Sequence, residues 1–317
     1  IACGLEQLIE FVAGLRYRND DIDYLAGLTD PAGKQIFPGE FLTYLKELKF
    51  TCDIDAIPEG SPVFAGEPLV RVCGPVLQCQ LLESAILNII NFQTLVATKA
   101  ARVCIAAQNP VFEFGLRRAP GPDGAMSASR AAYVGGCFGT SNTLAGKKFG
   151  IPVKGTHAHS WVMAFNTETE SFEALVDALA DNCILLVDTY DTVSGVQAAV
   201  KVARKMRENG QHLAGIRLDS GDIAELSCMA RKILDQNGLY DCHIVASNDL
   251  DEYRIAELRQ RGAMVDYWGV GTRLVTGFSD GSLSGVYKMA AIRSGPPASC
   301  IASRQTWRAA RQISSAS

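Results

Sequence analysis

The sequence contains few histidines and tryptophans and lacks the motifs that define several common enzyme classes. Four histidines and three tryptophans occur in 317 residues. No Gly-x-Gly-x-x-Gly follows an early apolar run, which excludes the usual dinucleotide-binding fingerprint. No Gly-Lys-Ser or Gly-Lys-Thr is present, which excludes a Walker loop. Any nucleotide must therefore be bound by other means.

The chain also lacks a large excess of charge of either sign. Thirty basic and 34 acidic residues are spread evenly and leave a net charge of −4, which argues against nucleic acid as a partner. No apolar run approaches the roughly 20 residues that span a bilayer, and the first residues do not resemble a signal peptide. We therefore expect a cytoplasmic protein that binds small molecules, with neither a nucleic acid nor a membrane partner.

Ten cysteines occur, but none of them forms a Cys-x-x-Cys pair. Most lie within apolar runs, which favours reduced, buried thiols over a disulfide framework or a structural zinc site. Hydrophobic residues make up 48% of the chain, enough for a sizeable core and room for two domains.

What the sequence does contain is a repeated alternation of apolar runs with helical segments. Residues 193–207 and 223–237, for example, repeat apolar side chains at three- and four-residue spacing between strand-like runs. This alternation predicts parallel strands joined by right-handed crossovers. We predict an α/β fold, an irregular TIM-like α/β barrel, whose strand ends meet on one face and form the active site.

Three regions are predicted along the chain. Residues 1–75 combine short helices with a stretch punctuated by Pro and Gly, and we expect a helical edge and part of a smaller, incomplete β-rich α/β domain. Residues 76–292 are predicted to form the barrel. Residues 293–317 show no periodicity and are predicted to be an unmatched, disordered tail.

Two of the four histidines, His157 and His159, follow the apolar segment 151–153. Residues two apart on an extended segment point to the same side, so both rings could hold one metal ion, as in a metal-dependent hydrolase. Such a site needs further ligands, and His212 and His243 lie at predicted strand beginnings, on the opposite face. A structural, hydrogen-bonded role is the second interpretation for both histidines.

A third interpretation makes His159 a nucleophile or general base. Neutral imidazole can attack a phosphoryl group, and an adjacent carboxylate can fix its tautomer. Asp188 lies at the next predicted strand end and could be that partner, while Asp191 fits the role of a helix cap.

The next strand ends carry groups that suit a sugar phosphate. Arg217 and Asp219 lie two residues apart, hence on one side, and could bind an anion and ribose hydroxyls, a metal or a developing positive charge. A structural ion pair is the alternative. The Gly-rich segment 269–273 follows a strand, so its amides could hold a phosphate.

An aromatic ring and two cations end an earlier strand. Phe114 is followed by Arg117 and Arg118 beside a Pro- and Gly-rich loop, an arrangement that suggests binding of a polyanion such as pyrophosphate, with surface arginines as the alternative. Taken together, the strand ends predict a site for a phosphorylated sugar and an aromatic ring.

Five motifs, in this order, resemble the nicotinate phosphoribosyltransferase family, a type II phosphoribosyltransferase family. They are Glu113 to Ala119, Gly155 to Trp161, Asp188 to Asp191, Arg217 to Asp222 and Gly269 to Thr272. The resemblance extends from residue 1 to about 292.

The resemblance implies a reaction with ligase and glycosyltransferase character. Phosphoribosyl would pass from phosphoribosyl pyrophosphate to the ring nitrogen of nicotinate, giving nicotinate mononucleotide and pyrophosphate in NAD salvage. ATP hydrolysis would drive the equilibrium, through a phosphohistidine. ATP and Mg²⁺ are implied as cofactors, and a homodimer as the assembly.

The resemblance also implies roles for individual residues. His159 would accept phosphate from ATP, Asp188 would orient it, and Asp219 would complete the catalytic set. The substrate-binding residues would be Phe114, Arg117, Arg118, Asn142, Thr156, Arg217, Ser247, Asn248, Gly271 and Thr272.

One position bears on the choice of substrate. Related nicotinamide enzymes have Asp before a Thr-x-Ala-Gly run, whereas this chain has Asn142 there. A carboxylate substrate is repelled by Asp and tolerated by Asn, which favours nicotinate.

Three alternatives to this function are retained: a nicotinamide-specific relative, the metal-dependent hydrolase using both histidines, and a catalytically inactive ligand-binding fragment. The last is motivated by family segments expected before Ile1 and after about residue 292, so we expect a chain truncated at both ends.

Overall fold

The computed structural model of the chain describes residues 1–180 and 183–293. Contacts divide these residues into two compact units. One comprises Ile1 and Phe92–Leu283, and the other comprises Ala2–Asn91 with the described residues from 284 onward. The division after Asn91 differs from the boundary at residue 75 that the sequence suggests, and the predicted domain limits stay predictions. The predicted tail lies almost wholly outside the described residues.

The smaller unit contains the short helices and the β-rich stretch that the sequence predicts. Its elements are α1 (Leu5–Ala13), α2 (Asn19–Gly27), α3 (Gly39–Lys46), β1 (Asp53–Ala56) and β2 (Val70–Cys73). The two strands pair antiparallel, with Asp53 opposite Cys73. Leu8 on α1 is fully buried against Leu82, Ile86 and Ile90, and this cluster forms the core of the unit.

Helix α4 (Val76–Ala107) is the longest helix in the described part of the chain and contains the position after Asn91 where contacts divide it. By length and composition alone, α4 is apolar enough to cross a membrane, because an 18-residue window of it has a mean hydropathy of 1.3. Within the fold, 44% of that window is buried. A core helix of a soluble protein has the same composition, so this is weak evidence for a membrane span.

The larger unit contains a parallel sheet. Its strands are β3 (Val111–Glu113), β4 (Gly139–Thr140), β5 (Ile184–Leu186), β6 (Gly215–Leu218), β7 (His243–Ala246) and β8 (Tyr267–Val270). They are hydrogen-bonded in the order β4-β3-β8-β7-β6-β5. Every pairing is parallel, which confirms the predicted α/β class.

Helices follow these strands in the predicted alternation. They are α5 (Gly121–Val134), α6 (Thr143–Phe149), α7 (His159–Val162), α8 (Glu168–Leu179), α9 (Thr192–Glu208), α10 (Ile223–Gln236), α11 (Glu252–Gln260) and α12 (Thr272–Val275), with a 3₁₀ turn at Leu116–Arg118. Asp191 caps α9 by accepting from the Ser194 amide, as predicted, and Asp222 caps α10 in the same way.

The chain between β4 and α7 connects the two edge strands of the sheet. Val153 forms an isolated parallel bridge with Thr140, at the end of β4. Four residues later, the His157 ring accepts a hydrogen bond from the Leu186 amide of β5 at 2.9 Å. The segment therefore contacts both edges, as closure of an irregular barrel requires. It is not a full strand, contrary to the expectation from its apolar sequence.

Eight described cysteines are free thiols, as predicted, but only four of them are buried. The eight are Cys3, Cys52, Cys79, Cys104, Cys137, Cys183, Cys228 and Cys242. Cys73 is disulfide-bonded, so the prediction of reduced thiols does not extend to it.

Gly195 allows α9 to pack closely on the end of β5. A Cβ at this position would lie 2.0 Å from the carbonyl oxygen of Val187, a backbone atom that cannot move aside. We expect Gly195→Ala to lower the free energy of unfolding by about 1–3 kcal/mol through overpacking, as measured by urea denaturation.

Gly124 on α5 is the matched control for this substitution, because a Cβ there meets its nearest atoms at 3.6 Å, an ordinary contact. Gly124→Ala should stabilise the chain by roughly 0.5–1 kcal/mol, the helix propensity difference. Equal effects at the two positions would contradict the packing argument.

Candidate active site

The register of the parallel sheet brings three polar residues to one edge. Leu186 of β5 pairs with Arg217 of β6, which pairs with Val245 of β7. Two residues beyond each of these positions lie Asp188, Asp219 and Ser247. Because side chains two apart in a strand share a face, the polar groups collect at the carboxyl ends of the strands, as predicted.

His159 is the first residue of α7 and is positioned by groups from two strand ends. Its Nδ1 lies 3.1 Å from the Thr189 hydroxyl, and its Nε2 lies 3.6 Å from Oδ2 of Asp219. The imidazole is 41% exposed, so a ligand can reach it. This arrangement provides one ring nitrogen facing a carboxylate and the other facing a hydroxyl.

Arg217 forms the hydrogen-bonded centre of the site. Its guanidinium donates to Oδ1 of Asp219 at 2.9 Å, to the Ser247 hydroxyl at 2.8 Å and to the Thr156 hydroxyl at 2.7 Å. The Ser247 hydroxyl also donates to Oδ1 of Asp219. The structure thus brings four predicted site residues into direct contact.

Asp188 is placed differently from the sequence prediction. Its Oδ2 accepts from the Asp219 amide at 2.7 Å and from the Ser220 hydroxyl at 2.6 Å. Thr189 and Asp219, rather than Asp188, contact the His159 imidazole. Asp188 is buried, and its Oδ1 has no hydrogen-bond partner among the described residues. Asp188 therefore orients the end of β6.

Phe114 supplies an aromatic face beside the guanidinium. The Cζ atom of Arg217 lies 5.7 Å from the centre of its ring, within range of a cation–π contact. Glycine is required at position 269, because a Cβ there would lie 2.6 Å from the ring. A Cβ at Gly271 would lie 3.1 Å from the Phe114 carbonyl. The Gly-rich segment therefore makes room for the ring, in addition to any role with phosphate.

The remaining predicted residues lie at other strand ends of the same sheet. Arg117 and Arg118 are exposed on the 3₁₀ turn after β3. Asn248 follows β7 with a φ of 102°, a conformation that is rare for residues other than glycine, and Thr272 begins α12 after β8. Asn142 is 3% exposed and caps α6 through the Ala145 amide.

His157 has a structural role, one of the interpretations that the sequence allows. Its Nε2 accepts from the Leu186 amide, so that nitrogen has no lone pair left for a metal. Burial, together with the positive Arg217, lowers the pKa of His157 to about 4, which keeps the ring neutral. No group of three or more potential metal ligands occurs in the described part of the chain. The metal-dependent hydrolase alternative required both His157 and His159 as ligands, and His157 is already used within the fold.

The sequence did not identify Thr189 or Glu168. Thr189 directly follows Asp188. Its place just after a strand is the one sequence feature that could have identified it as a site residue. Glu168 begins α8, where a carboxylate is ordinary. Burial, with the negative Asp188 and Asp191, raises the pKa of Glu168 to about 7. Only the tertiary structure shows this proximity.

Comparisons with known proteins match most of the chain. Residues 1–91 match the model for the nicotinate phosphoribosyltransferase (NAPRTase) N-terminal domain, and residues 110–295 match that for the nicotinate phosphoribosyltransferase (NAPRTase) family. A nicotinate phosphoribosyltransferase of Bacillus subtilis is 45% identical over 294 residues, covering 92% of this chain and 58% of the relative. One from Mycobacterium tuberculosis is 43% identical over 292 residues, covering 92% of this chain and 61% of the relative.

The fold has a solved counterpart. The crystal structure of human nicotinic acid phosphoribosyltransferase superimposes with a TM-score of 0.76 and 32% identity, covering 85% of this chain and 65% of that one. The chain spans about three fifths of the length of the curated relatives it matches.

The hydrogen bond to His157 generates a pH-dependent prediction. His157→Ala leaves the Leu186 amide without its partner, which should cost about 1–3 kcal/mol at pH 7.5. Because the folded pKa is depressed, the stability from the neutral ring is present above 6.5 and is lost as the pH falls through about 4. Urea denaturation should show that the difference from the unsubstituted chain narrows between pH 7.5 and pH 4. A constant difference would contradict this role.

Glu168 should have the opposite dependence on pH. Its folded pKa is raised, so its contribution to stability is full below the ordinary value of 4.5 and is lost as the pH rises through about 7. Glu168→Gln removes this loss and should be relatively more stable at pH 8 than at pH 5, by about 1 kcal/mol, since solvent screens a partly exposed carboxyl. Melting temperatures at both pH values test this, with Glu170→Gln on the same helix as the control.

Proposed function

The chain belongs to the nicotinate phosphoribosyltransferase family, and from this premise we propose that it forms nicotinate mononucleotide and pyrophosphate from nicotinate and phosphoribosyl pyrophosphate, coupled to ATP. The observation that carries the proposal is the shared carboxylate of Asp219, which contacts His159 through Oδ2 and Arg217 through Oδ1. Asp219 therefore contacts both His159, the proposed phosphoryl acceptor, and Arg217, the proposed anion-binding group.

His159 is proposed to accept the γ-phosphoryl group of ATP. An ionised carboxylate only accepts hydrogen bonds, so the proton of the neutral ring belongs on Nε2, facing Asp219. Nδ1 then has the lone pair, which accepts from the Thr189 hydroxyl until a substrate arrives. Attack by Nδ1 forms a nitrogen–phosphorus bond as the bond to ADP breaks, and Asp219 stabilises the positive charge on the ring.

Asp219 and Arg217 are proposed to act on the second substrate pair. Bond breaking at the ribose develops positive charge on the sugar, and a nearby carboxylate stabilises that charge. The Arg217 guanidinium suits the carboxylate of nicotinate, and the adjacent Phe114 ring suits one face of the pyridine. Arg117, Arg118, Asn248, Gly271 and Thr272 are proposed to bind the phosphate groups.

The residues present fit a magnesium ion that is held mainly by substrate phosphates. Magnesium usually takes one or two carboxylates from the protein and keeps its other positions for phosphate and water. Asp188 offers a buried oxygen without a partner among the described residues, and Asp219 lies next to it. When bound, the ion would neutralise charge on the phosphates. A homodimer and a cytoplasmic location are further parts of this proposal.

Replacement of His159 tests the proposed phosphoryl transfer. The unsubstituted chain, given nicotinate, phosphoribosyl pyrophosphate, ATP and magnesium, should yield mononucleotide at a rate that ATP increases. His159→Ala should lose that increase, with a fall of roughly 100-fold at saturating ATP, because no ring nitrogen remains to accept phosphate. Chromatography of the product and phosphohistidine detection by mass spectrometry provide the two measurements.

His243→Ala is the control, because His243 begins β7 at the opposite end of the sheet and should retain the ATP effect. A chain that binds phosphoribosyl pyrophosphate but makes neither product nor phosphohistidine would be an inactive binding fragment. Product from nicotinamide and none from nicotinate would refute the substrate assignment.

A further inference from the structure

A buried carboxylate connects the two loops that follow β7 and β8. Asp251, the residue before α11, is 2% exposed. Its Oδ1 accepts from the Tyr253 and Arg254 amides at 3.1 and 2.8 Å and thereby caps α11. Its Oδ2 accepts from Nη1 of Arg273 at 2.6 Å, and Arg273 lies in α12, after β8. One side chain therefore joins the start of α11 to α12.

The contact between Asp251 and Arg273 is an ion pair as well as a hydrogen bond. Burial by itself raises the pKa of the Asp251 carboxyl, but the Arg254 amide and the Arg273 guanidinium together outweigh burial and lower that pKa below its ordinary value. The carboxyl is therefore ionised at neutral pH. Hydrogen bonds between two charged groups are among the stronger polar contacts in proteins.

Arg273 is held on several sides. Its Nη2 lies 3.9 Å from Oδ2 of Asp249, and its Cζ lies 4.7 Å from the centre of the Phe278 ring. The side chain is two thirds buried. Because the carboxylates of Asp249 and Asp251 balance its single positive charge, Arg273 is a poor candidate for direct binding of a phosphate. Its geometry suits a residue that fixes the position of α12.

A second buried ion pair fixes the start of α11 against α4. Glu252 is buried, and its carboxylate lies 2.5 Å from Nζ of Lys99 and 3.1 Å from Nε of Arg102. Lys99 is also buried, and its Nζ lies 6.0 Å from the centre of the Phe278 ring. Because Glu252 directly follows Asp251, the end of the β7 loop is attached to α4, and Asp251 attaches α12 to that end.

The loop between Ser247 and Asp251 has an unusual backbone conformation. Asn248 and Asp249 have φ values of 102° and 47°, in the left-handed region that residues other than glycine rarely adopt. Such conformations persist only where the surrounding structure enforces them. Ser247 is fixed at one end by the guanidinium of Arg217, and Asp251 is fixed at the other. Asp251 is therefore one of the two anchors that hold this loop.

We propose that Asp251 is a positioning residue for the ribose phosphate of phosphoribosyl pyrophosphate, because its bond to Arg273 sets the separation of the two loops that bind this phosphate. The inference rests on the proposed function, in which Asn248 lies in one loop and Gly271 and Thr272 lie in the other. Groups that are already in place lose less conformational freedom when a ligand binds, which increases the affinity.

Kinetics of two variants test the proposal. Asp251→Ser removes the bond to Arg273 but keeps a hydroxyl that can cap α11. The KM for phosphoribosyl pyrophosphate should rise about tenfold, because the two loops must then be ordered when the phosphate binds. The KM for nicotinate and kcat should change less than about threefold, since Phe114 and Arg217 lie at the ends of β3 and β6. Arg273→Met should give the same pattern and serves as the second variant if Asp251→Ser does not fold.

A pair of the same kind at another helix provides the matched control. Asp222 caps α10 with its Oδ1 and accepts from Nη2 of Arg261 with its Oδ2 at 2.5 Å. Arg261→Met removes this bond, yet the KM for phosphoribosyl pyrophosphate should stay within about twofold of the unsubstituted value. The reason is that this pair is half-exposed and joins the start of α10 to the end of α11.

Two measurements without turnover separate this inference from the proposed function. Titration calorimetry with ribose 5-phosphate should show about tenfold weaker binding to Asp251→Ser than to the unsubstituted chain. A thermal double-mutant cycle of Asp251→Ser and Arg273→Met should be non-additive, and the double variant should melt close to the less stable single variant.

A KM for phosphoribosyl pyrophosphate within about twofold of the unsubstituted value in both variants would overturn the proposal. An equal rise in the KM for nicotinate, an unchanged affinity for ribose 5-phosphate or additive effects in the thermal cycle would overturn it as well. Absence of mononucleotide under every condition overturns the proposed function instead. In that case the titration and the thermal cycle still decide the role of Asp251.

Discussion

The site depends on one carboxylate that serves two neighbours at once. Asp219 contacts the His159 ring with one oxygen and accepts from Arg217 and Ser247 with the other. Asp188 holds its backbone amide. A charge in this position lowers the energy of nearby cations, whether on an imidazole or on a ribose. The fold of the larger unit brings this carboxylate into contact with both His159 and Arg217, which lie far apart in the chain.

Buried polar groups behind the site fix the positions of the elements that form it. His157 closes the gap between the edge strands by accepting a backbone amide, which requires a neutral ring. Glu113, the residue before Phe114, accepts hydrogen bonds from the Gly115 amide and from the Ser129 and Thr140 hydroxyls. Because an unsatisfied polar group in a core is costly, each of these bonds restricts the geometry more strongly than an apolar contact would. Hydrogen bonds behind the site thus help to fix the positions of the groups that line it.

Local features of the chain were predictable. The periodicity of 193–207 and 223–237 indicated α9 and α10, and Asp191 and Asp222 proved to be their caps. Which of two neighbouring side chains contacts a given group was harder to predict from the sequence. Asp188 was predicted to hold the histidine, whereas Thr189, one residue later, contacts it. Asn142 stays a predicted substrate residue, and its Oδ1 also caps α6 by accepting from the Ala145 amide.

The sequence by itself determined the class of fold, the order of its elements and the family, because hydrophobic period, caps and motifs are properties of short segments. The tertiary structure alone decided which atoms meet. The register that pairs Leu186 with Arg217 and Arg217 with Val245 aligns strand ends about thirty residues apart in the chain. It thereby brings Asp219 into contact with Ser247 and places Asp188 where it accepts from the Asp219 amide. Such contacts are set by the packing of many distant residues, so no local pattern encodes them.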